Sequence, residues 1–423
     1  MVDTRQAQAI IRAIDMLADR TKPRLAIVTT IARADFCEPL RWLDRFDVWH
    51  FYMAFAPDIR TDRLSGHYVK FRDAFELLLG LLKLRPDLIQ GSEPYDFPPG
   101  FLLSCAALLG AGLLRRPFYF PTFENIPPDV KYCRRRSLPV GIIVAPLLRS
   151  FMARYSRRCS FVFAGNEGAV RNLLAVHTPP KRIRRELYAT WGVDLDLFSP
   201  SGARSVEIHH PHTILFVGRL VEQKGVRELL RAFSLVLEQE ADAALVFIGD
   251  GPLGGEIRRF MRDHCTDDRI RLLGIIPNSE LPPYFRAAEI TVVPSLTQPV
   301  WSEQVGMVAI QSMACGTPVI TTNSGSIPEF VQDGITGLLV PERNPEAMAG
   351  AILELLRDDR LRRKLATSGR AYAEKRYDAA SNVAKVQDIL LQLLARTRPS
   401  AFACPNRANQ SGPGPESEDS RST

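Results

Sequence analysis

The chain has 423 residues, 46% of them hydrophobic, which is too long for one ordinary domain and enough for two buried cores. Its seven cysteines are scattered, with no C-x-x-C pair and no metal-ligand spacing, which argues against a disulfide framework and favours a reducing cytoplasm. The net charge is +7, but no nucleic-acid-binding motif accompanies it, so we expect no nucleic acid partner.

Helices and strands alternate through the first 200 residues. Residues 3–20 have one apolar helical face and lack the features of a signal peptide. Further along, strands are predicted at 24–30, 46–52, 87–90, 118–125 and 160–164, and a helix at 71–84. The alternation is typical of a parallel, doubly wound sheet.

Residues 97–114 are strongly apolar and could be mistaken for a membrane span. Two prolines open the stretch, and the helical part, 100–114, would extend only roughly 22 Å, less than the ~30 Å hydrocarbon core. We therefore expect a buried helix of an α/β domain.

Basic residues are concentrated at 131–158. This segment holds eight cations and no acid, around an apolar centre at 138–148. One interpretation is a solvated basic helix face. The other is a surface for anionic lipid or for a polyprenyl-phosphate acceptor.

Two acidic motifs lie in the first half of the chain. Glu124 follows the strand at 118–125, where a loop acid before a turn is one interpretation and a site residue the other. Asp194 and Asp196 match the D-x-D of metal-dependent transferases by letters alone, so we predict no metal site. A polar linker follows at 200–211, and we assign His209 and His210 to it.

The second domain opens with a strand at 213–217 and a helix at 226–237. Arg219 and Lys224 stand between them. A guanidinium group, an ammonium group and a helix N-terminus together suit a phosphate, whose charge they neutralise. The alternative is an ordinary exposed pair of cations in a loop.

A βαβ unit at 290–321 contains the other candidate residues. A strand at 290–294 is followed by a polar loop, a helix at 305–314 and a strand at 318–321. Glu303 and Gln311 are eight positions apart, about two helical turns, so we expect both to face one side. Gly306 allows a close approach of ligand to backbone.

The words around these residues resemble family 4 retaining glycosyltransferases. The family's E-x7-E signature is similar to Glu303…Gln311, and a bacterial subgroup has E-Q-F-G-R-V, E-A-M-A-C-G and S-G-E-I-P-E. Here the words are E-Q-V-G-M-V, Q-S-M-A-C-G and S-G-S-I-P-E. Three departures are Gln311 for Glu, Met307 for Arg and Ser326 for Glu.

The resemblance implies a role for each candidate. Glu303 would lie against the donor sugar and Gln311 would bond the ribose, although an amide cannot act as a base. The words G-R-L…K-G imply that Gly218, Arg219 and Lys224 hold the donor diphosphate. Two further residues follow from the same resemblance: Ile276, whose backbone would pass beside the nucleobase, and Glu124, which matches the subgroup's T-F-E-N-I beside the reacting carbon.

The expected fold is α/β, with two doubly wound Rossmann-like domains facing across a cleft, the GT-B arrangement. We expect an acceptor domain at 1–200, a donor domain at 212–378, a helix at 379–396 crossing back to the first domain, and a disordered tail at 397–423. The glycines typical of the loop after the first strand are missing from 31–35, so the resemblance implies nothing about acceptor contacts.

The expected activity is retaining transfer of a sugar from a nucleotide-diphosphate sugar to a glycan, a lipid-linked or a small-molecule acceptor, without metal or other cofactor. The expected location is cytoplasmic, with peripheral contact at the inner membrane face through 131–158. Two rivals remain: a degenerate protein that binds nucleotide or glycan without turnover, and an epimerase or phosphorylase on the same fold.

Overall fold

The structure is a computed structural model. It describes residues 21–95, 99–127, 130–131, 138–186, 191–205, 208, 210, 212–264, 266 and 268–397, with the backbone alone at 138–145. The predictions for the helix at 3–20, for His209 and for the tail beyond residue 397 lie outside the described residues.

The first domain has seven described strands and five described helices. The strands are β1 (Arg24–Ala32), β2 (Asp47–Phe55), β3 (His67–Lys70), β4 (Leu88–Gln90), β5 (Phe118–Thr122), β6 (Phe161–Ala164) and β7 (Ile183–Arg184). The helices are α1 (Ala34–Cys37), α2 (Ala74–Leu84), α3 (Pro99–Leu114), α4 (Leu138–Arg158) and α5 (Glu167–Ala175). Short 3-10 helices lie at Glu38–Trp42, Thr61–Arg63 and Pro180–Arg182.

The second domain has six described strands. They are β8 (His212–Val217), β9 (Ala243–Ile248), β10 (Ile270–Leu272), β11 (Ile290–Val293), β12 (Val319–Thr322) and β13 (Leu338–Val340). Its helices are α6 (Val226–Leu237), α7 (Gly254–Asp263), α8 (Pro282–Ala287), α9 (Met307–Ala314), α10 (Ile327–Phe330), α11 (Pro345–Arg357) and α12 (Asp359–Tyr377), with 3-10 helices at Glu222–Lys224 and Asn278–Glu280. The last helix, α13, is Ala379–Thr397.

Both sheets are parallel and doubly wound. Their strand orders are β3-β2-β1-β4-β5-β6-β7 and β10-β9-β8-β11-β12-β13. The order reverses between β1 and β4 in the first sheet and between β8 and β11 in the second. Ligands bind beside such switch points in open α/β sheets, at the carboxyl ends of the strands. The predicted two-domain α/β fold is confirmed.

The chain crosses between the domains twice, and the two crossings are hydrogen-bonded to each other. The amide of Val193 donates to the carbonyl of Tyr377 at 2.7 Å, and the amide of Ala379 donates to the carbonyl of Val193 at 3.0 Å. From there α13 packs on the first sheet through Val383, Val386 and other residues of one face. The last helix therefore contributes to the core of the first domain.

The N-cap residue decides where two of the helices start. The helix predicted from residue 71 begins at Ala74, because the Asp73 carboxylate accepts from the amides of Phe75 and Glu76 at 3.0 and 2.9 Å. The helix predicted from residue 305 begins at Met307, because Gly306 adopts a left-handed conformation with φ +67°. Glu303, two residues before the predicted helix, is therefore four residues before the observed one.

Within the apolar stretch predicted at 97–114, the helix α3, Pro99–Leu114, is only partly buried. Leu103 and Ala107 lie in the core, but Leu102, Leu109 and Leu113 are 50–60% exposed, so the prediction of a buried helix was wrong on one face. No helix in the described part of the chain is long and apolar enough to cross a bilayer.

A substitution at Gly192 tests the contact between the two chain crossings. Its φ is +102°, and a Cβ atom would lie 2.4 Å from the carbonyl oxygen of Tyr377. Gly192→Ala should therefore destabilise the protein by roughly 1–3 kcal/mol, seen as a lower melting temperature. In the control Gly350→Ala, within α11, a Cβ would meet nothing within 4 Å, so stability should rise by about 0.5–1 kcal/mol. Equal melting temperatures for the two variants would refute the assigned strain.

Candidate active site

The candidate residues lie where the carboxyl edges of the two sheets face each other. Lys224 follows β8 and Glu303 follows β11, so these two residues come from the strands that flank the switch point of the second sheet. The Lys224 ammonium group donates to Glu303 Oε2 at 2.5 Å, and Ser295 Oγ donates to the same oxygen at 2.7 Å. The sequence predicted both residues but not their pairing.

Glu303 is held in its ionised form. Its side chain is only 12% exposed. Burial acts to raise its pKa, but the charge and hydrogen bond of Lys224, the Ser295 hydroxyl and the charge of Arg33 together outweigh burial and lower the pKa. The carboxylate is therefore suited to accept hydrogen bonds from a ligand and not to donate a proton.

Gly225 brings Lys224 to this position. It is the left-handed residue before α6, with φ +67°, and a Cβ atom there would lie 1.8 Å from the carbonyl oxygen of Pro294. Only glycine permits this contact between the start of α6 and the end of β11. The contact sets Lys224 beside the loop that carries Glu303.

The helices that follow Lys224 and Glu303 both begin without a side-chain cap. Neither α6, after Gly225, nor α9, after Gly306, has a side-chain cap, so their first amide groups are left for another acceptor. Gly218 and Arg219 lie in the loop between β8 and α6, and the Arg219 side chain is exposed. Ile276 lies in the loop after β10. All three residues thus lie in loops that follow strands of the second sheet.

Gln311 is engaged in a different contact. It is 4% exposed, and its Nε2 donates to Asn278 Oδ1 at 2.8 Å. The backbone amide of Asn278 donates to the carbonyl of Asp58 at 3.1 Å, and its side-chain Nδ2 donates to Glu38 Oε2 at 3.4 Å. Gln311 thus belongs to a chain of hydrogen bonds between the domains. A carboxylate in its place would have no proton to donate to Asn278 Oδ1. Asn278 was not identified from the sequence.

The first domain holds the Glu303 loop directly. Asn125 Nδ2 donates to the carbonyl of Glu303 at 2.8 Å, and Ser302 Oγ donates to Asn125 Oδ1 at 2.9 Å. Asn166 Nδ2 donates to the carbonyl of Gln304 at 3.1 Å. Ser326, one of the departures from the resemblance, also accepts from Asn125, at 3.1 Å.

Glu124 lies beside this contact but is already paired. The residue is 3% exposed, and its carboxylate forms an ion pair with Lys131 and accepts from the amide of Ile126 at 3.2 Å. Lys131 is therefore not part of an exposed basic surface, which corrects one member of the segment 131–158. Arg134, Arg135 and Arg136 lie outside the described residues.

Glu93 is a candidate that sequence reasoning missed. One carboxylate oxygen accepts from the hydroxyl of Thr122 and from the amides of Phe123 and Glu124, at 2.9 and 3.0 Å for the amides. Burial, and then the charge of Glu124, raise the pKa of Glu93 to about 7. No motif surrounds Glu93; its only signal was its place after β4, beside the switch point of the first sheet.

Arg33 is the second missed residue, and it follows β1 across the same switch point. Its guanidinium forms two bonds with Asp35, at 2.9 and 3.1 Å, and its charge contributes to the lowered pKa of Glu303. The loop at 31–35, which has no glycine, therefore presents a cation to the cleft.

Asp194 has a structural use. Its carboxylate pairs with Arg41 at 2.6 Å and accepts from the amides of Asp196 and Leu197. No group of three His, Cys, Asp or Glu residues suited to a metal ion occurs within the part of the chain that the structure describes.

The raised pKa of Glu93 predicts how the stability of the folded protein depends on pH. In the folded protein its pKa is about 7 against an ordinary 4.5, so between these values the folded form holds more protons than the unfolded form. Stability should therefore fall as pH rises from 5 to 8, by roughly 2–3 kcal/mol from this group. Glu93→Gln keeps an accepting oxygen but has no charge, so its melting temperature should fall less over this range.

The control for this experiment is Glu354→Gln, on an exposed part of α11. It should reproduce the pH dependence of the unaltered protein. A Glu93→Gln profile that also matched the unaltered protein would show that this carboxylate titrates normally.

Sequence comparison matches the second domain to a family. Residues 203–372, two fifths of the chain, match the model of glycosyl transferases group 1. Over 185 residues the chain is 37% identical to D-inositol 3-phosphate glycosyltransferase of Corynebacterium glutamicum, which covers 40% of this chain and 43% of that protein. Over 211 residues it is 31% identical to a GDP-mannose-dependent alpha-(1-6)-phosphatidylinositol monomannoside mannosyltransferase of Mycobacterium tuberculosis, covering 48% and 55%. The chain thus spans about half the length of the curated relatives it matches.

Structural comparison extends over both domains. Anabaena HepE in complex with UDP and glucose superposes with a TM-score of 0.67 at 15% identity, covering 87% of this chain and 99% of that one. Sucrose-phosphate synthase from Thermosynechococcus elongatus gives 0.64 at 20% identity, covering 89% and 100%. In sequence the second domain matches the group 1 glycosyl transferases, and in fold the part of the chain that the structure describes is of the GT-B type.

Proposed function

We propose that the chain is a family 4 retaining glycosyltransferase that moves a sugar from a nucleotide-diphosphate sugar to an acceptor hydroxyl. The observation that carries the proposal is the Lys224–Glu303 pair, set between two helix N-termini without side-chain caps. A site of this kind offers positive charge to a diphosphate and a fixed carboxylate to a neighbouring sugar. The group 1 match over residues 203–372 supports the same reaction class.

The proposed reaction needs few protein groups. The bond between the sugar C1 and the diphosphate oxygen breaks, and its electron pair stays on the phosphate. The acceptor oxygen bonds to C1 on the same face, and its proton passes to the leaving phosphate. Arg219, Lys224 and the amides of α6 and α9 stabilise the charge that grows on that phosphate, without a metal ion.

Glu303 and Gln311 have separate roles in this proposal. Glu303 accepts hydrogen bonds from sugar hydroxyls, which fixes C1 for attack. Gln311 serves donor binding through hydroxyl contacts of the ribose, and its bond with Asn278 orients the amide. We further propose that Gly306 and Ile276 approach the donor through their backbones.

Glu124 acts as a positioning residue in this account. Its carboxylate pairs with Lys131 and accepts from the amide of Ile126. The second of these hydrogen bonds closes a turn around Asn125, which lies between Glu124 and Ile126. We propose that it fixes the loop from which Asn125 holds the carbonyl of Glu303. The acceptor, a glycan or a lipid-linked or small molecule, binds on the first-domain side of the cleft.

The rival function is binding of nucleotide or glycan without turnover. The observation that favours it is Gln311, whose amide is committed to Asn278 and cannot carry the charge that the family's usual Glu would have. A panel of nucleotide sugars, assayed for transfer and for donor hydrolysis, separates the two functions.

The decisive variant is Glu303→Gln. Because the proposed contact tightens in the transition state, kcat should fall by about 10²–10³, whereas Gln311→Ala should chiefly raise KM for the donor. Gln311→Glu should keep activity or improve it. The control Glu256→Gln removes a carboxylate that pairs with Arg227 on the surface, and it should leave both constants unchanged.

Full turnover by Glu303→Gln would remove that residue from the mechanism. If neither the unaltered protein nor Gln311→Glu turned over any donor while nucleotide still bound, the binding function would replace the enzymatic one.

A further inference from the structure

The first domain exposes an unusual number of apolar side chains on three of its helices. Ten large apolar residues are exposed among the described residues, and six of them lie on α2, α3 and α4. We call these six the helical apolar face: Phe75, Leu79, Leu102, Leu109, Leu113 and Leu147, each 44–65% exposed. Single exposed leucines are ordinary, but a group of six on adjoining helices marks an interaction surface.

The three helices form one layer. A Cβ atom at Gly110 of α3 would lie 3.3 Å from Leu81 of α2, and the rings of Phe101 on α3 and Phe151 on α4 are 4.5 Å apart. Each helix precedes a strand of the same parallel sheet, and right-handed crossovers place such helices side by side. The six side chains thus belong to one surface.

The central helix, α3, is apolar on every side. Its 16 residues include no charged side chain, and the hydroxyl of Ser104 is satisfied by the carbonyls of Ser92 and Gly100 at 2.9 and 2.8 Å. Leu102, Leu109 and Leu113 follow at intervals of seven and four residues, which puts them on one helical face. A helix that is apolar all round is normally buried all round. Here, however, one face is open.

Charge identifies what covers this face. Residues 97–166 contain ten Lys and Arg residues but only two acids, so the surplus of eight in this segment exceeds the +7 of the whole chain. Five exposed cations stand on α4 or directly after α3 in the described part of the chain: Arg115, Arg149, Arg154, Arg157 and Arg158. Neither α3 nor α4 contains an acid.

We propose that the helical apolar face docks on an anionic phospholipid bilayer. Its leucines would lie at the boundary of headgroups and acyl chains, and the arginines would meet the lipid phosphates. A second copy of the chain is a poorer occupant, because a two-fold contact through this face would set cations against cations. The surface differs from the segment 131–158 predicted from the sequence, since most of its apolar contact comes from α2 and α3.

Vesicle co-sedimentation tests the proposal. The full chain should bind vesicles that contain phosphatidylglycerol, bind pure phosphatidylcholine vesicles much less, and be released by salt. Leu102→Gln/Leu109→Gln/Leu113→Gln should lower the partition coefficient about tenfold or more, because each leucine loses its apolar transfer. These side chains are exposed, so the melting temperature should be retained.

Two matched controls fit this experiment. Leu109→Gln, at a residue 51% exposed, is compared with Ile335→Gln in the second domain, at a residue 56% exposed. Arg154→Gln/Arg157→Gln/Arg158→Gln is compared with Arg360→Gln/Arg363→Gln/Lys364→Gln on α12, which removes the same charge elsewhere. Only the first member of each pair should weaken binding.

Equal binding to anionic and neutral vesicles, or undiminished binding by the triple leucine variant, would overturn the proposal. A dimer in sedimentation velocity that the leucine variant dissociates would also overturn it, in favour of a protein interface. Because binding is measured without catalysis, this outcome is independent of whether the proposed transfer reaction is correct.

Discussion

The ion pair between Lys224 and Glu303 is the contact on which the site depends. It joins the loops of β8 and β11, the two strands at which the order of the second sheet reverses. The pair is possible because Gly225 permits α6 to begin against the carbonyl of Pro294. A buried carboxylate would otherwise tend to take up a proton, and Lys224, Ser295 and Arg33 keep it charged. The charge of the site thus depends on the sheet topology, which brings the two loops together, and on Gly225, which permits their contact.

The first domain completes this arrangement from the opposite side. Asn125 and Asn166 hold the backbone carbonyls of Glu303 and Gln304, and Arg33 adds its charge across the cleft. Arg33 and Glu93 follow β1 and β4, which flank the switch point of the first sheet as Lys224 and Glu303 flank that of the second. The paired crossings at Val193 and Ala379 fix how the two edges meet.

Local pattern predicted most of this fold but not its long-range contacts. Helix α6 was predicted with its observed bounds, 226–237, because its apolar period is strong and Gly225 precedes it. Helix α12 was not identified, since its 19 residues are rich in charge and place few side chains in the core. Lys224 and Glu303 were each predicted from their loops, but a contact between residues 79 positions apart leaves no trace in local spacing.

The other differences between the predictions and the structure also arise from contacts between residues far apart in sequence. Glu93 gains its importance from burial beside Glu124, which depends on two strands that pair only in the folded sheet. The open face of α3 was taken for a buried one because an apolar period shows that a side chain is hydrophobic, not what covers it. Sequence pattern therefore located the elements and the edge of the site, while the pairing of charges required the structure.

Calorimetric titration with nucleoside diphosphates tests the central claim most directly. If the diphosphate binds beside Lys224 and Arg219, Lys224→Ala and Arg219→Ala should each weaken binding by about 1.5–3 kcal/mol, the worth of a hydrogen bond to a charged group. The control Arg227→Ala, on the surface of α6 and paired with Glu256, should bind normally. Unchanged affinity in both the Lys224 and the Arg219 variants would place the diphosphate elsewhere and contradict the account.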